Sequence, residues 1–222
     1  MSALEPLLLS FEVATLATIL ASVLGVALGG LLAMPRVWGR ELLDAAVTAP
    51  MVLPPTVLGY YLLVVLGRES TIGQAFEALT GSTIVFTRGG AVVAATIGAL
   101  PLISKAARAA LESVDVRLVG AARTLGASRW RAFFSISLPL ARRGITAGIL
   151  LGFARALGDF GVTLMVAGNI PGETRTASLA IYDAVLAGRD ADATHLALIM
   201  TGLAVTVLIG ASILTRQRRD GF

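Results

Sequence analysis

The chain has 222 residues, of which 56% are hydrophobic and 14% are charged. Soluble domains carry about 25% charged residues, so a water-soluble fold of this size would lack the charge to cover its surface. The chain has no cysteine, which excludes disulfides and thiolate metal sites. Its net charge of +4 is more typical of residues that orient membrane helices than of a nucleic-acid interface. We therefore predict an all-α polytopic membrane protein in contact with lipid, with one domain over residues 1–222 and no nucleic-acid partner.

Five stretches have about the 20 apolar residues that a membrane-spanning helix needs. They are residues 7–33, 45–66, 89–104, 144–168 and 196–214. The third is expected to continue as a helix beyond the membrane. Residues 72–86 are shorter and are interrupted by Gly81, so we interpret them as an external segment at the membrane surface. The sequence thus predicts about five transmembrane helices.

Basic residues are distributed unevenly between alternate connections, which predicts the orientation. One set holds thirteen: Arg36, Arg40, the eight basic residues between Lys105 and Arg143, Arg216, Arg218 and Arg219. The other set holds four: Arg68, Arg88, Arg175 and Arg189. Placing the larger set in the cytoplasm puts the N-terminus outside and the C-terminus inside, which agrees with five spans.

The sole lysine excludes one route to nucleotide binding. Lys105 follows Ser104 rather than glycine, so the chain has no Gly-Lys-Ser/Thr phosphate-binding loop. ATP is not expected to bind this chain through such a loop.

Residues 115–139 are too charged to span a membrane but are patterned as helix. Asp115 can cap a helix, apolar residues then recur at helical spacing, and Gly126 is suited to ending it. Ser128 can cap a second short helix that carries Trp130, and Pro139 marks the return to the membrane. On the pattern alone, an amphipathic helix at the lipid headgroups and a docking surface for another protein are equally good interpretations.

The motif begins with Ala121-Ala122, and three residues separate Ala122 from Gly126. Nine residues then separate Gly126 from Ile136-Ser137-Leu138-Pro139, and this pattern resembles the EAA loop of ABC importer permeases. The leading glutamate of that loop is Gly120 here. The resemblance implies a type I ABC importer permease fold with a coupling helix that sits in a groove of a separate ATPase. The coupling residues it indicates are Gly120, Ala121, Ala122, Arg123, Leu125, Gly126, Arg129, Ile136, Leu138 and Pro139.

The same resemblance implies the partners. They are two ATPase subunits that carry ATP and Mg, an extracytoplasmic oxyanion-binding protein, and a second copy of this chain. The chain itself would bind no cofactor, would not be an enzyme, and would lie in the bacterial cytoplasmic (inner) membrane.

Other segments are similar to the molybdate branch of that family. They are residues 53–55, 57–60, 113–116, 121–126, 153–155, 157–158 and 169–176. Tungstate and sulfate permeases resemble these segments less closely. The resemblance therefore implies import of molybdate, with tungstate and sulfate as the alternatives.

Two places inside the predicted spans are candidates for a translocation path or gate. Pro54 and Pro55 would either break a helix, exposing backbone N–H groups, or only kink it. Arg155 and Asp159 are one helical turn apart and well inside the bilayer, where each needs a partner or water. They would be a path-lining pair or a structural ion pair.

An external turn at residues 169–176 offers Asn169, Glu173 and Arg175 for contact with a binding protein, with a solvated loop as the alternative. The sequence contains no recognisable catalytic or metal-ligating constellation. The competing hypothesis from a different class is an intramembrane enzyme that uses Arg155, Asp159 and His195. A membrane scaffold without transport would leave the spacing of the 115–139 loop unexplained.

Overall fold

The computed structural model describes residues 4–34 and 38–215, with side chains as far as residue 213. All regular secondary structure in these ranges is helical. The helices are α1 (Leu4–Leu32), α2 (Arg40–Val52), α3 (Pro55–Leu66), α4 (Thr71–Thr80), α5 (Arg88–Glu112), α6 (Val116–Thr124), α7 (Arg129–Ala132), α8 (Leu138–Leu157), α9 (Gly161–Ala167), α10 (Ala177–Leu186) and α11 (Asp190–Thr215). A π-helical turn, Phe133–Ser137, joins α7 to α8.

Four helical segments in the described residues are long and apolar enough to cross a membrane, and a bent pair is a fifth candidate. The four are Leu4–Leu32, Arg88–Glu112, Arg129–Leu157 and Asp190–Ile213. The first, third and fifth predicted spans are confirmed as helices α1, α5 and α11. The prediction of about five spans is confirmed as well.

The core is a three-helix packing of α1, α5 and α8 in which small residues let the backbones approach. A Cβ added to Gly29 of α1 would lie 2.6 Å from the carbonyl oxygen of Ser104 on α5. A Cβ on Gly152 of α8 would lie 2.5 Å from Ile103. In lipid, helices gain little from burying apolar surface, so this close van der Waals contact is what holds them together.

The second predicted span is not one helix. α2 ends at Val52, Pro54 precedes α3, and the two axes differ by 115°. A proline kink is far smaller than this, so the structure selects the broken helix over the simple kink. Leu53 and Pro54 are both extended, with ψ of 141° and 137°, because a residue before proline is driven out of the helical region.

The fourth predicted span, 144–168, is also wrong as a continuous helix. α8 ends at Leu157, and a new helix, α9, begins at Gly161. The Asp159 carboxylate stabilises the new start, because its Oδ2 accepts hydrogen bonds from the backbone N–H and the hydroxyl of Thr163 in the first turn of α9. At its other end, α8 continues back through the π-helical turn to Arg129.

Charged side chains collect at two opposite ends of the helix bundle. Arg88, at the start of α5, lies 3.8 Å from Glu12 and bonds to the 169–176 turn. Arg40 contacts Glu112 at the other end of α5. This sorting agrees with the predicted orientation. Arg36, Arg216, Arg218 and Arg219 from that prediction lie outside the described residues.

The segment 72–86 overlaps α4 (Thr71–Thr80), whose ten residues are too few to span a bilayer. Gly81 ends α4 in the left-handed conformation at φ 71°. Arg68 and Glu77 form an ion pair at 3.0 Å beside it.

Candidate functional site: an exposed loop and two broken helices

The first part of the 115–139 loop, from Asp115 to Ser128, folds as its sequence predicts. Asp115 Oδ1 accepts a hydrogen bond from the Arg117 N–H at 2.8 Å, which caps α6. Gly126 has φ 87°, and the N–H of Ala127 donates to the Ala122 carbonyl at 3.0 Å. This is the hydrogen bond of a glycine-terminated helix end. Ser128 Oγ then accepts from the Arg131 N–H at 3.2 Å and starts α7.

The second helix of the loop is longer than predicted. It runs without interruption from Arg129 to Leu157, so Pro139 does not separate it from the membrane segment. Pro139 has no N–H, and its ring crowds the carbonyl four residues earlier. The π-helical turn Phe133–Ser137 immediately precedes it and widens the backbone there.

Apolar side chains of this loop face outward. None of the nine residues of α6, all of them described, is buried. Val116 is 77% exposed, Leu125 88% and Trp130 67%. The predicted coupling residues Gly120, Ala121, Arg123, Gly126, Arg129 and Pro139 are exposed too, and Ala122, Ile136 and Leu138 are partly buried. An apolar patch of this kind marks a contact surface for lipid or for protein.

The base of the loop is fixed to the core. Phe133 and Leu138 pack against buried Leu111 and Ala141, which belong to α5 and α8. A Cβ on Gly30 of α1 would lie 3.5 Å from the Phe133 ring. The base of the loop therefore contacts three helices, α1, α5 and α8.

The two broken helices meet at their restart points. A Cβ on Gly161, the first residue of α9, would lie 2.6 Å from Pro55 Cβ, at the first residue of α3. One turn further on, Gly59 of α3 touches Met165 of α9. α3 and α9 thus run side by side in the same direction from a shared starting level.

That level is near the middle of α5, one of the helices long and apolar enough to span the membrane. A Cβ on Gly98 of α5 would lie 3.6 Å from Arg155 and 3.7 Å from Asp159. Gly98 is ten residues from Arg88 and fourteen from Glu112, which is about 15 Å and 21 Å along a helix. The prediction that Arg155 and Asp159 lie deep in the bilayer agrees with this geometry.

Arg155 and Asp159 bond to each other across the end of α8. Arg155 Nη1 is 2.9 Å from Asp159 Oδ1, and the second carboxylate oxygen is used by Thr163. The Asp159 side chain is 2% exposed, whereas that of Arg155 is 36% exposed. The carboxylate is therefore satisfied and fixed, while part of the guanidinium remains open. Sequence reasoning missed Thr163, because the break that brings it to Asp159 was not foreseen.

The external turn is held by backbone hydrogen bonds and by the side chain of Arg175. The N–H groups of Glu173, Thr174 and Arg175 all donate to the Ile170 carbonyl, at 3.0–3.2 Å. Arg175 Nε donates to Asn169 Oδ1 at 2.8 Å, and its Nη1 is 3.2 Å from Asp183.

Arg88 ties this turn to α5. It donates to the Gly172 and Glu173 carbonyls at 2.9 and 3.1 Å. The side chain of Glu173 is exposed, and within the described residues its carboxylate makes no ion pair. No sequence signal indicated these contacts of Arg88, since its partners Glu12, Gly172 and Glu173 are all more than 70 positions away.

The remaining titratable groups do not assemble into a reactive centre in the described residues. Within that part of the chain, no group of three or more His, Cys, Asp or Glu side chains is placed to hold a metal ion. His195 is exposed on α11, whereas Asp159 is buried and already bonded.

A helical membrane bundle with an exposed, core-anchored loop and broken helices at mid-depth has the features of a transport component. The family described as binding-protein-dependent transport system inner membrane component matches residues 21–218. The chain belongs to this family of ABC importer permeases and is a multi-pass inner-membrane component.

Curated relatives cover nearly the whole chain. It is 44% identical to the molybdenum transport system permease protein ModB of Escherichia coli K12, over 97% of this chain and 95% of the relative. It is 42% identical to ModB of Azotobacter vinelandii, over 85% and 84% of the two chains. A protein named as a sulfate transport system permease from Chlorella vulgaris is 36% identical over 82% of this chain and 68% of its own length.

Solved structures agree on the fold. A chain of the MetNI methionine ABC transporter has a TM-score of 0.72 at 16% identity, with 97% of this chain and 100% of that chain covered. A chain of a bacterial alginate ABC transporter, in complex with a periplasmic protein, has a TM-score of 0.75 at 16% identity, with 96% and 78% covered. The predicted type I ABC importer permease fold is confirmed.

Proposed function

We propose that this chain is the permease subunit of an ATP-driven molybdate importer and that residues 1–222 act as one permease domain. The observation that carries the proposal is the 44% identity to a molybdenum permease over nearly the full length of both chains. The sulfate relative is less similar, at 36%. Tungstate and sulfate, which are also tetrahedral dianions, are the alternative substrates.

The ATPase partner docks on the 115–139 loop. Two features of α6 support this. The helix is exposed, and its small residues Gly120, Ala121 and Ala122 allow close approach of another backbone. ATP and Mg are bound by two such ATPase subunits, and this chain binds no cofactor. The relatives are named as permease subunits rather than enzymes, and a buried, fully bonded Asp159 is a poor catalytic group.

The permease works as a homodimer that encloses a central path. Non-helical backbone at membrane depth is tolerated only where protein or a water-filled cavity covers it. Leu53 and Pro54 form such a segment, and Pro54 and Pro55 are exposed in the single chain. The break at Leu53 and Pro54 therefore faces the second copy and the path between the copies.

Arg155 gives this path its charge. A dianion at mid-depth requires a compensating group, and the open part of the Arg155 guanidinium supplies one while Asp159 holds it in place. Asp159 also occupies the start of α9, so that helix end is not the anion site. In this proposal Pro54 and Pro55 line the path, Arg155 supplies its positive charge, and Asp159 holds Arg155 in position.

The extracytoplasmic binding protein contacts the 169–176 turn. Asn169 and Arg175 bond to each other and fix the turn, which leaves the exposed Glu173 carboxylate for a basic group of the partner. The turn is rigid before contact, so little ordering cost accompanies binding.

Reconstitution tests the proposal. The permease, its ATPase and the binding protein are placed in proteoliposomes, and ATP-dependent uptake of labelled molybdate is measured in competition with tungstate and sulfate. We expect uptake of molybdate that the other two inhibit more weakly. Stronger inhibition by sulfate would assign the chain to sulfate, and failure of the ATPase to bind would contradict the importer itself.

A further inference from the structure

Helix α2 is held to the bundle with little apolar packing. Of its thirteen residues, all described, only Val47 is buried. Leu42 is 77% exposed, Met51 61% and Val52 78%. Its main neighbour is α5, with a smaller contact to α1. Something other than a buried apolar face must set where α2 lies.

A network of five charged side chains joins α2 to α5. Arg40 Nη2 is 2.6 Å from Glu112 Oε1, which also accepts from Arg108 Nε at 2.9 Å. Asp44 receives Lys105 Nζ at 2.8 Å and Arg108 Nη1 at 3.2 Å. Arg108 therefore bridges the two carboxylates, one from each helix, and every member has an opposite charge within 3.2 Å.

The network lies between the two functional regions. Glu112 is the last residue of α5, and α6 of the loop begins four positions later at Val116. The other end of α2 leads directly into the break at Leu53 and Pro54. The described charges facing the network come from α2 and α5, so it is the polar connection from the loop to that break.

We propose that this α2–α5 charge network is the joint that makes the break at Pro54 move together with the coupling loop. Arg40, Asp44, Lys105, Arg108 and Glu112 are positioning residues in this role, which rests on the proposed function. Ion pairs that share a bridging arginine keep their partners over small changes in helix angle, because long side chains adjust. A closely packed apolar seam such as α1–α5 does not adjust in that way.

The test compares transport with ATP hydrolysis in proteoliposomes. Asp44→Asn combined with Glu112→Gln removes both negative charges of the network with almost no change in side-chain size. We expect molybdate moved per ATP hydrolysed to fall about tenfold, while ATPase binding and the hydrolysis rate stay within twofold of wild type. Glu77→Gln, which breaks the external pair with Arg68, is the matched control and should leave the ratio unchanged.

A charge exchange separates a joint from a merely structural role. Arg40→Glu and Glu112→Arg should each lower the ratio. The double variant should restore it in part, because opposite charges again face each other at positions 40 and 112 although Arg108 loses its bond to Glu112. If the network only supports folding, all variants would lower the protein yield, and would lower molybdate transport and ATP hydrolysis in proportion. The amount of molybdate moved per ATP hydrolysed would then stay constant. That result would overturn the proposal.

A substrate-independent measurement completes the test. Because the chain has no cysteine, a spin label at Val52→Cys is unique and reports the distance between the two copies in the ATPase complex. The distance should change with nucleotide in the labelled wild type and stay fixed in the Asp44→Asn/Glu112→Gln variant. If the distance changes equally in the labelled wild type and in the variant, the proposed joint is contradicted and the proposed function is not. If the labelled wild type does not bind the ATPase, both proposals are contradicted.

Discussion

The coupling loop and the two breaks at mid-depth are both short interruptions in membrane helices, yet different forces determine them. The loop is fixed by local groups: Asp115 and Ser128 cap neighbouring residues, and Gly126 ends α6. The breaks depend on Pro54 and on the Asp159 carboxylate, and also on tertiary contacts such as the Pro55–Gly161 contact between α3 and α9. Local signals are readable in a sequence, whereas contacts a hundred residues apart are not. Four predictions test this difference.

The largest effect is expected at Asp159, on which the second break depends. Asp159→Ala leaves Arg155 without its counter-ion and Thr163 without its acceptor. Removing one partner of a buried ion pair costs about 3–5 kcal/mol. Since Arg155 is partly exposed, we expect about 3 kcal/mol of destabilisation. Thermal unfolding in detergent should then show Tm lowered by about 6–12 °C.

Asp159→Asn is the control for that experiment, since it keeps an acceptor for Thr163 but removes the charge. Its Tm should lie between those of the wild type and of Asp159→Ala. If Asp159→Ala melts like the wild type, helix packing rather than the carboxylate determines the break.

The next effect concerns docking on the loop. Ala122→Glu places a charge on the half-buried side of α6, where an approaching ATPase would have to bury it. We expect ATPase affinity to fall at least about 30-fold, the effect of a 2 kcal/mol hot spot. Tm should not change, because glutamate is nearly as good a helix former as alanine. Binding of purified ATPase to the permease in nanodiscs measures the loss.

Ala122→Ser preserves the small size and should bind nearly as well as the wild type. If Ala122→Glu instead weakens only the association of the loop with lipid, α6 is a headgroup helix. Of the two interpretations that the sequence pattern left open, the amphipathic helix at the lipid headgroups would then be correct.

Much of the fold was readable from the sequence for a physical reason. α1, α5 and α11 were predicted because an apolar stretch long enough to span a bilayer has few alternatives. The limits of α6 were predicted because its capping groups lie within the segment itself. The family motif added the function of the loop, which the pattern alone left undecided.

The breaks could not be predicted in the same way. Residues 144–168 read as one apolar stretch because Gly158 and Asp159 resemble ordinary interruptions of a membrane helix. The hydrogen bonds that Thr163 donates to Asp159 stabilise the start of α9, and the contact of Gly161 with Pro55, which is 106 positions away, has no local spacing signal. The Arg40–Glu112 pair spans 72 positions, and no spacing rule connects residues that far apart.

A smaller effect is expected at the contact between the restart points. In Gly161→Val the new Cβ would lie 2.6 Å from Pro55 Cβ, a distance that real Cβ atoms essentially never show. Overpacking of this kind costs about 1–3 kcal/mol, to be read as a lower Tm in detergent. Gly202→Val is the matched control, because no described atom lies within 4 Å of a Cβ there. Equal Tm values for the two variants would mean that α3 and α9 are not in firm contact.

The smallest effect separates backbone conformation from side-chain contact within the loop. Gly126 has φ 87°, whereas Gly120 lies inside α6, and no described atom is within 4 Å of a Cβ at either position. Gly126→Ala forces alanine into the left-handed region at about 1 kcal/mol, whereas Gly120→Ala should favour the helix by about 0.5–1 kcal/mol. Since neither methyl group meets a neighbour, any loss of ATPase affinity in Gly126→Ala must come from the backbone. We expect about a fivefold loss there, as 1 kcal/mol implies, and none in Gly120→Ala. A loss in both variants would mean that the ATPase packs directly on these glycines.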